Sequence, residues 1–355
     1  EEHVRGREHP NTLVMRYLGA RILQSMGEYD RALHAVEALL PLQEHVIGPE
    51  HPDTLATRQL EADILHRMGE YARALRTVEA LLTVSKRVIE PEHPDTLAQR
   101  YLEASILDSM GDHARALQAV EALLPVDERV RGPDHQGTLS TRSLEVQILN
   151  SLGEYARALQ AVEPLLRDWE RVLGPEHPGT LSTAYLKAQI LHSMGEYAPA
   201  LQAVEALLPV QERVSGLEHP ATLATRHLEA CILDNMGDNA RALQALEALR
   251  QVQEEVNGPE NRSALATRRL LARCLVSNGQ AERALELCAE LGLIEQASDR
   301  VFTRLIEAKA YAAKGDTQIA LEWVDGVIAD LQTRFAPTHI RLVEAQSLLA
   351  RLIGQ

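Results

Sequence analysis

The chain has 355 residues, of which 45% are apolar and only 3% aromatic, and its formal net charge is −15. This charge argues against a general nucleic-acid binder, which needs a basic face to neutralise phosphates, and against an anionic membrane surface as partner. A single globular core stops growing beyond about 250–300 residues, so the length predicts either several domains or a repeat array.

Further features bear on compartment and chain ends. The sequence contains no run of about 18 apolar residues, so it predicts no membrane-spanning helix. It shows no signal peptide at residue 1. The three cysteines, Cys231, Cys274 and Cys288, form neither a metal-ligand motif nor a disulfide framework. We therefore expect a reducing, cytoplasmic compartment, with no metal and no cofactor. Residues 1–4 match residues 43–46, which predicts a preceding repeat and a longer parent protein.

A glycine recurs at a constant step of 42 residues along most of the chain. The glycines are Gly27, Gly69, Gly111, Gly153, Gly195, Gly237 and Gly279. A histidine and a threonine recur with the same step, beginning at His9 and Thr12. The next equivalent glycine is Gly315, only 36 residues on, so the repeat decays toward the carboxyl end. Periods of this length indicate stacked helical or β units that share one continuous core.

Each repeat has the pattern of two helices. In the second repeat, the first helix is predicted from Thr54 to Met68, after a start signal in which Pro52 suits the first turn and Asp53 or Thr54 caps free N–H groups. Gly69 ends this helix because glycine turns the chain cheaply. The second helix is predicted from Tyr71 to Val88, since its apolar residues recur at three-to-four spacing.

The repeat count gives the predicted domain organisation. Residues 1–290 are expected to hold seven 42-residue helical repeats. Residues 291–355 are expected to hold a degenerate, shorter repeat and a capping helix, Thr338–Ile353, of the same solenoid. The stretch Leu291–Gln296 between these parts is predicted to be irregular.

Two short motifs carry a resemblance to a known family. Residues 69–75, Gly-Glu-Tyr-Ala-Arg-Ala-Leu, resemble the tetratricopeptide signature. The 42-residue period and residues 174–181, Gly-Pro-Glu-His-Pro-Gly-Thr-Leu, resemble the kinesin-light-chain type of that repeat. The resemblance implies an all-α, right-handed superhelical solenoid of antiparallel helix pairs, whose first helices line an inner wall. Residues 51–58 resemble repeats of large actinobacterial proteins, in which such arrays serve as sensor arms of nucleotide-binding signalling proteins.

The chain departs from the family at one first-helix position. Related repeats often carry an asparagine there that holds a bound peptide backbone, whereas this chain has leucine at the seven positions Leu18, Leu60, Leu102, Leu144, Leu186, Leu228 and Leu270. The residue after the leucine is glutamate in four repeats, with an arginine three residues before it, as in Arg58 and Glu61. We interpret these as surface i, i+3 ion pairs.

The candidate chemical motifs favour structural roles. Six repeated histidines, each roughly 10 Å from the next in stacked repeats, lie too far apart for shared metal coordination. We interpret them as loop residues that fix helix starts. A glutamate row that includes Glu37, Glu79 and Glu121 is interpreted as a solvated stripe. No phosphate loop and no hydrolase motif occurs, so no catalytic residue is assigned and the chain is predicted not to be an enzyme.

Three first-helix rows vary between repeats while the packing positions barely change. They lie ten, six and three residues before each glycine, and we call them the tyrosine, arginine and polar rows after Tyr17, Arg21 and Gln24. Packing demands the same residue in each copy, whereas a binding wall can differ from copy to copy. The residues selected from these rows as partner contacts are Tyr17, Arg21, Asp63, His66, Tyr101, Asp108, Asn150, Tyr185, Gln189, His192, His227, Asp234, Arg269 and Arg273.

The predicted function is a non-enzymatic scaffold that binds a protein or peptide, and neither nucleic acid nor membrane, along the first-helix wall. Tyrosines would supply contact area, arginines would select carboxylates, and aspartates would select cations. Three alternatives stay open: the regulatory arm of a nucleotide-dependent switch, an enzyme with a cryptic site beside Leu291–Gln296, and a structural spacer.

Overall fold

The computed structural model describes residue 6 and residues 9–295, 299–334 and 340–354. Within these ranges it contains 17 α-helices and no β-strand, so the predicted all-α solenoid fold is confirmed. The chain forms two compact units, Glu1–Thr183 and Ala184–Gln355, each of which is described by itself. Residues 1–4, compared above with residues 43–46, lie outside the described ranges.

The helices of the first unit alternate between first and second members of a repeat. They are α1 (Pro10–Ser25), α2 (Tyr29–Val46), α3 (Pro52–Arg67), α4 (Tyr71–Val88), α5 (Pro94–Ser109), α6 (His113–Arg131), α7 (Gln136–Ser151) and α8 (Tyr155–Leu173). The next helix, α9 (Pro178–Ser193), includes the residue at which the second unit begins.

The second unit continues the alternation. Its further helices are α10 (Tyr197–Val214), α11 (Pro220–Met236), α12 (Asn239–Asn257), α13 (Arg262–Ser277), α14 (Ala281–Ile294), α15 (Arg300–Lys314), α16 (Thr317–Arg334) and α17 (Ile340–Ile353). The predicted irregularity at residues 291–296 is wrong for residues 291–294, which are helical because Leu291 is a fully buried part of the apolar face. Gln296 and Thr338 lie outside the described ranges.

Histidine side chains, and not Asp53 or Thr54, cap the first helices. His51 Nδ1 accepts a hydrogen bond from the Asp53 N–H at 3.2 Å, and the same bond forms at five further repeats with lengths between 3.0 and 3.2 Å. Thr54 instead donates from Oγ1 to the carbonyl oxygen of Gly48 at 2.8 Å. In the seventh repeat Asn261 Oδ1 accepts from the Ser263 N–H at 2.9 Å. The expected structural role of the histidines is confirmed, with the cap assigned to a different residue.

The turn between paired helices depends on the repeated glycine. Gly69 has φ +82°, in the left-handed region that side chains disfavour, and the Glu70 N–H then bonds the Leu65 carbonyl at 2.9 Å. This closure folds α4 back against α3. Apolar side chains of both helices, such as Ile64 and Val78, then share one core with no exposed surface.

Alanine forms the crossing points of the second helices. Ala74, Ala116, Ala158 and Ala200, at equivalent positions of four repeats, all have 0% exposure, as predicted from the sequence. Because alanine carries only a methyl group, neighbouring helices approach closely at these points. The decayed carboxyl-terminal part uses the same device, since Ala320 of α16 is also fully buried in the core that α15, α16 and α17 share.

The surface arginines pair differently from the i, i+3 prediction, which is wrong for Arg58, Arg142 and Arg226. Each reaches back 14 residues to the preceding second helix, where Arg58 meets Glu44 at 2.8 Å and Arg142 meets Glu128 at 2.6 Å. The guanidinium therefore bridges two helices, whereas the predicted partner lies on the arginine's own helix. Glu61 is half-buried, and its pKa is raised by burial and then by the charge of Glu37, while Arg73 and Arg58 act in the opposite direction.

The predicted glutamate stripe faces solvent, and inter-repeat arginines join it. Glu37 pairs with Arg73 at 3.3 Å, and pairs of the same 36-residue separation form at Glu79, Glu121, Glu205 and Glu247. Both partners are roughly half exposed in each pair, so each contributes about 0–1 kcal/mol.

Substitution of a crossing alanine tests this packing register. We expect Ala116→Leu to lower the free energy of unfolding by about 1–3 kcal/mol, because the added atoms must displace a neighbouring helix. Glu121→Gln, on the exposed face five residues on, should leave it nearly unchanged. Thermal and urea unfolding monitored by circular dichroism give both values. Equal tolerance of the two changes would contradict the register.

The seventh repeat, in which Asn261 replaces the capping histidine, provides a comparison for the histidine cap. We expect His93→Ala to lower the unfolding free energy by about 1 kcal/mol, because the Asp95 N–H loses its acceptor. His93→Asn should retain most of that stability, since Asn261 already makes the equivalent bond. Urea unfolding of the two variants at neutral pH measures the difference. A His93→Asn loss as large as that of alanine would show that the imidazole acts by packing and not by capping.

Candidate functional site

The three variable rows lie on one side of the first helices and are mostly half-buried. All seven members of the tyrosine row, from Tyr17 to Arg269, are half-buried, and Arg21 of the arginine row is exposed. In contrast, the leucine that follows the tyrosine row is buried from the second repeat to the seventh, at 5–8% exposure. The rows therefore form a polar wall above a leucine layer.

Polar side chains of the wall bond between consecutive repeats. A residue of the polar row meets the arginine-row residue that lies 39 positions later. The three bonds are Gln24 Nε2 to Asp63 Oδ2, Gln147 Nε2 to Asp108 Oδ2 at 2.7 Å, and Arg273 Nη2 to Asp234 Oδ2. These contacts fix the spacing of neighbouring first helices and hold the aspartates in place.

One cavity of about 500 Å³ lies on the wall of the first unit. Tyr17 and Arg21 of α1, Asp63 of α3 and Tyr101 of α5 line it, with Leu60 and Leu102 of the leucine layer. The guanidinium of Arg21 lies 5.9 Å from the centre of the Tyr17 ring, within the range of a cation–π contact. Burial raises the pKa of the Tyr101 hydroxyl, with a smaller effect from Asp63, so this phenol stays protonated at neutral pH.

A second cavity, of about 410 Å³, lies on the wall of the second unit. Four first-type helices, α11, α13, α15 and α17, supply its lining. The lining residues are His227, Cys231, Ala266, Arg269, Leu270, Arg273, Phe302, Leu305, Ile306, Lys309, Arg341 and Glu344. It unites three of the predicted contacts, His227, Arg269 and Arg273, and its volume falls in the range of ligand pockets, about 300–1,000 Å³.

The three rows predicted from the sequence do not include the cavity residues of α15 and α17, because the 42-residue step ends at Gly279. Counting back from Gly315 gives Leu305 at ten residues and Lys309 at six, and both line the cavity. Gly354 follows α17, and counting back ten residues from it gives Glu344, whereas Arg341 falls in none of the three rows.

The other predicted contacts lie on the wall outside these cavities, and most of them bond within their units, whereas the buried Asn150 Oδ1 has no hydrogen-bond partner among the described residues. Asp108 is buried and bonds His113 Nδ1 at 2.8 Å, while Tyr185 accepts a bond from Gln189 Nε2 at 3.1 Å. His66 and His192 each bond a residue 43 positions on, Ser109 at 2.8 Å and Asn235 at 2.7 Å. Partner contact by these residues, and by Asn150 and Asp234, stays a prediction.

Burial shifts the pKa values of His227 and Cys231 in the second cavity. Desolvation lowers the pKa of His227 below its ordinary value, and the positive charge of Arg273 lowers it further. Its Nδ1 lies 3.1 Å from Thr267 Oγ1, a partner that suits a neutral imidazole. Burial also raises the pKa of Cys231 to about 11. A thiol with this pKa is protonated at neutral pH and therefore a poor nucleophile.

Comparison with known proteins identifies the repeat. One tetratricopeptide repeat profile matches residues 11–87, 61–129 and 146–213, and a second profile of the same description matches residues 227–298. The chain belongs to the tetratricopeptide repeat family. No curated protein matches the chain significantly.

Several solved structures have a similar fold. A protein of Podospora anserina described as kinesin light chain, with nearly identical repeats of this type, is 24% identical, with a TM-score of 0.51 over 59% of this chain and 98% of that one. The Rap protein complexed with competence and sporulation factor is 11% identical, with a TM-score of 0.61 over 97% of both chains. NprR in complex with its cognate peptide NprX is 13% identical, with a TM-score of 0.60 over 98% of both.

Two further findings concern membrane spans and metal sites in the described residues. None of the helices in these ranges is long and apolar enough to cross a membrane. No group of three or more His, Cys, Asp or Glu side chains in the same ranges has an arrangement that would hold a metal ion.

The depressed pKa of His227 predicts a pH dependence of stability in this tetratricopeptide array. Because the folded-state pKa lies below the unfolded-state value near 6.5, the unfolded chain binds more protons as the pH falls through that value. The stability from the neutral imidazole is therefore present above pH about 6.5 and lost on acidification. We expect His227→Gln to lose less unfolding free energy than the parent chain between pH 7 and pH 5.

Urea unfolding at both pH values measures this difference, and His34→Gln is the control for the loss of an exposed histidine. His34 has an 82% exposed side chain. If His227→Gln and the parent chain respond equally to acid, the neutral, buried state assigned to this imidazole is incorrect.

Proposed function

We propose that this tetratricopeptide array is a non-enzymatic interaction scaffold that binds a peptide or partner helix on the first-helix walls of its units. The observation that carries the proposal is the concentration of variable wall residues at two cavities, one in each unit. In each cavity an apolar floor from the leucine layer lies beside a few polar groups. This combination is typical of binding sites, where apolar area supplies affinity and polar groups supply orientation.

The leucine layer replaces the family's usual device for holding a peptide. Leu60, Leu102 and Leu270 occupy the first-helix position at which related repeats often carry asparagine, and all three line a cavity. Leucine side chains cannot form hydrogen bonds with a peptide backbone. We infer that side chains of the partner, and not its main chain, provide most of the contacts.

Related structures support a protein or peptide partner in general terms. The Rap protein and NprR, which share the fold, are complexes with a factor and a cognate peptide. At 11–13% identity they do not indicate which residues of this chain contact a partner.

A regulatory arm is the second candidate function. In that proposal the array binds another domain of its own parent protein, as the resemblance to actinobacterial signalling proteins implies. A phosphate-binding loop encoded upstream of residue 1, together with nucleotide-dependent binding of that domain to this array, would favour this candidate over a scaffold for a separate partner.

Catalysis is the least supported candidate. The second cavity holds several ionisable groups near α14, as a cryptic active site would require. However, its thiol is protonated, and its neutral histidine bonds a threonine hydroxyl. Its guanidinium and ammonium groups pair with carboxylates. Among the lining residues, no nucleophilic side chain lies next to a side chain that acts as a base, and covalent catalysis needs that arrangement.

Variants of the first-unit wall test the proposed function. A partner is captured with the full-length protein, its bound segment is mapped, and its affinity is measured by calorimetry. We expect the double variant Tyr17→Ala, Arg21→Ala to weaken binding by about 2 kcal/mol or more, because a half-buried aromatic with a stacked arginine is a typical hot spot. Circular dichroism should show an unchanged fold, since Arg21 is exposed.

The matched control is Arg31→Ala on the second helix of the same repeat. Arg31 is 69% exposed and pairs only locally, with Glu28, so its removal should change affinity by less than about 0.5 kcal/mol. Normal binding by the wall variant, with loss of binding by the control, would place the site on the second helices instead.

A further inference from the structure

One face of α1 exposes apolar side chains to solvent. Val14, Leu18 and Ile22 follow one another at four-residue spacing, and Met26 continues the row directly after the helix. Met15 lies beside them. All five residues are 41–64% exposed, and we call them the α1 face. Because residues three or four apart are neighbours on a helix surface, these side chains form one apolar stripe, which is typical of a surface that another molecule covers.

The equivalent face of the next repeat is covered by a second helix. Leu60 is 7% exposed and Ile64 has no exposed surface, although both lie 42 residues after members of the α1 face. The preceding second helix, α2, packs against the helix that carries them. The position of Met15 faces such a helix, because Thr141, at the same position of the fourth repeat, donates to Asp127 of α6 at 2.7 Å. The α1 face therefore continues this stacking interface by one step, and none of the described helices covers it.

Two residues make the α1 face more apolar than the covered faces that follow it. Met15 lies where the next six repeats carry threonine or glutamine, at Thr57, Gln99, Thr141, Thr183, Thr225 and Thr267. Val14 lies where they carry alanine or serine, at Ala56, Ala98, Ser140, Ser182, Ala224 and Ala266. A solenoid end that meets only water needs a polar outer face. The replacements in the first repeat go in the opposite direction, which indicates a face that is covered by a partner.

The exposed side of the last helix, α17, differs from the α1 face. Its exposed residues include Gln346, Ser347 and Arg351, which separate the two exposed large apolar residues, Val343 and Ile353. Such an interrupted, mostly polar side suits contact with water. No polar residue interrupts the four-residue spacing of the α1 face, so the two terminal helices present different surfaces.

From this geometry we propose that the α1 face binds an amphipathic helix of a partner protein, which extends the stack as one more second-type helix. The chain's own second helices define the chemistry of that partner, since α4 buries Ala74, Val78 and Leu82 at four-residue spacing. At the place of Ser85 the partner carries an apolar residue, because Met15, a flexible and apolar side chain, lies opposite that place. None of the α1 face lines the first-unit cavity, so this surface is separate from the proposed binding wall.

The probe is a synthetic peptide with the sequence of residues 71–88, which contains no proline, and with the change Ser85→Leu. The unchanged peptide is its counterpart. Binding to the full 355-residue chain is followed by NMR of the methyl groups of its six methionines, each assigned by substitution. We expect the Met15 and Met26 signals to shift with a Kd of about 1 mM or tighter. The unchanged peptide should bind at least about fivefold more weakly, because serine buries less apolar area against Met15.

Three other methionines provide an internal control for unspecific contact. They occupy the repeat position of Met26 and are 39–46% exposed, and they are Met110, Met194 and Met236. Because a second helix already covers the first helix of each of these repeats, their signals should not shift.

A charge placed on the α1 face should abolish docking. We expect Ile22→Glu to weaken binding of the Ser85→Leu peptide at least about tenfold, because the carboxylate would lose water against an apolar partner. Ile22 is 58% exposed, so circular dichroism and urea unfolding should show an unchanged fold. The matched control is Leu217→Glu, which places the same charge at a similarly exposed leucine between α10 and α11 and should leave the affinity unchanged.

Several results would overturn the assignment. These are the absence of Met15 and Met26 shifts up to about 10 mM of the peptide, equal shifts of the three control methionines, and normal binding by Ile22→Glu. Shifts of the same two signals when the chain alone is concentrated would assign the face to a second copy of the chain. Loss of peptide binding in the full-length protein would assign it to a segment of that protein. Either result would exclude a separate partner.

Discussion

Close approach of helices at small residues is the constraint on which the rest of this structure depends. A single helix pair of this type cannot enclose its apolar face, and only stacking of successive pairs removes that face from water. Alanines such as Ala74 and Ala116, with no exposed surface, allow this stacking. Gly69 and its equivalents return the chain at the required point with positive φ. A larger residue at these alanines would separate the helices and expose the leucines and isoleucines between them. A side chain at Gly69 would meet no atom within 4 Å of its Cβ, and its cost would be the strained backbone at positive φ.

The same constraint leaves the wall rows free to vary. Residues such as Tyr17, Ser143 and His227 occupy one position of the repeat, yet they differ in size and polarity, and all three are only half-buried. Their remaining restriction is polar, since Gln24 with Asp63, Gln147 with Asp108, and Arg273 with Asp234 bond across consecutive repeats. Several wall residues serve both the spacing of the helices and the lining of a cavity, since Asp63 and Arg273 make these bonds and also line the cavities.

Periodicity predicts the helices of this fold well, because the same residue pattern recurs in each repeat. The second helix of the second repeat was predicted at Tyr71–Val88 and begins and ends there. Predictions of partners were less successful. Asp53 and His51 are both able to cap a helix, and only the extended backbone at His51 decides between them. Arg58 was paired with a residue on its own helix because the gap to Glu44 of the preceding helix is a tertiary distance that the sequence does not display.

The candidate site was predictable as far as the period extended. His227, Arg269 and Arg273 follow from counting back from a glycine, and Glu344 follows in the same way from Gly354, whereas Arg341 falls in none of the three rows. The decay of the repeat has a physical consequence for the site. The 42-residue step ends at Gly279, and the helices beyond it bring Lys309 and Arg341 beside the two arginines of α13 around one cavity. Each of these four cations is paired with a carboxylate, so the cavity gains polar groups without a net excess of positive charge. The polar lining of this cavity thus arises where the repeat symmetry is broken.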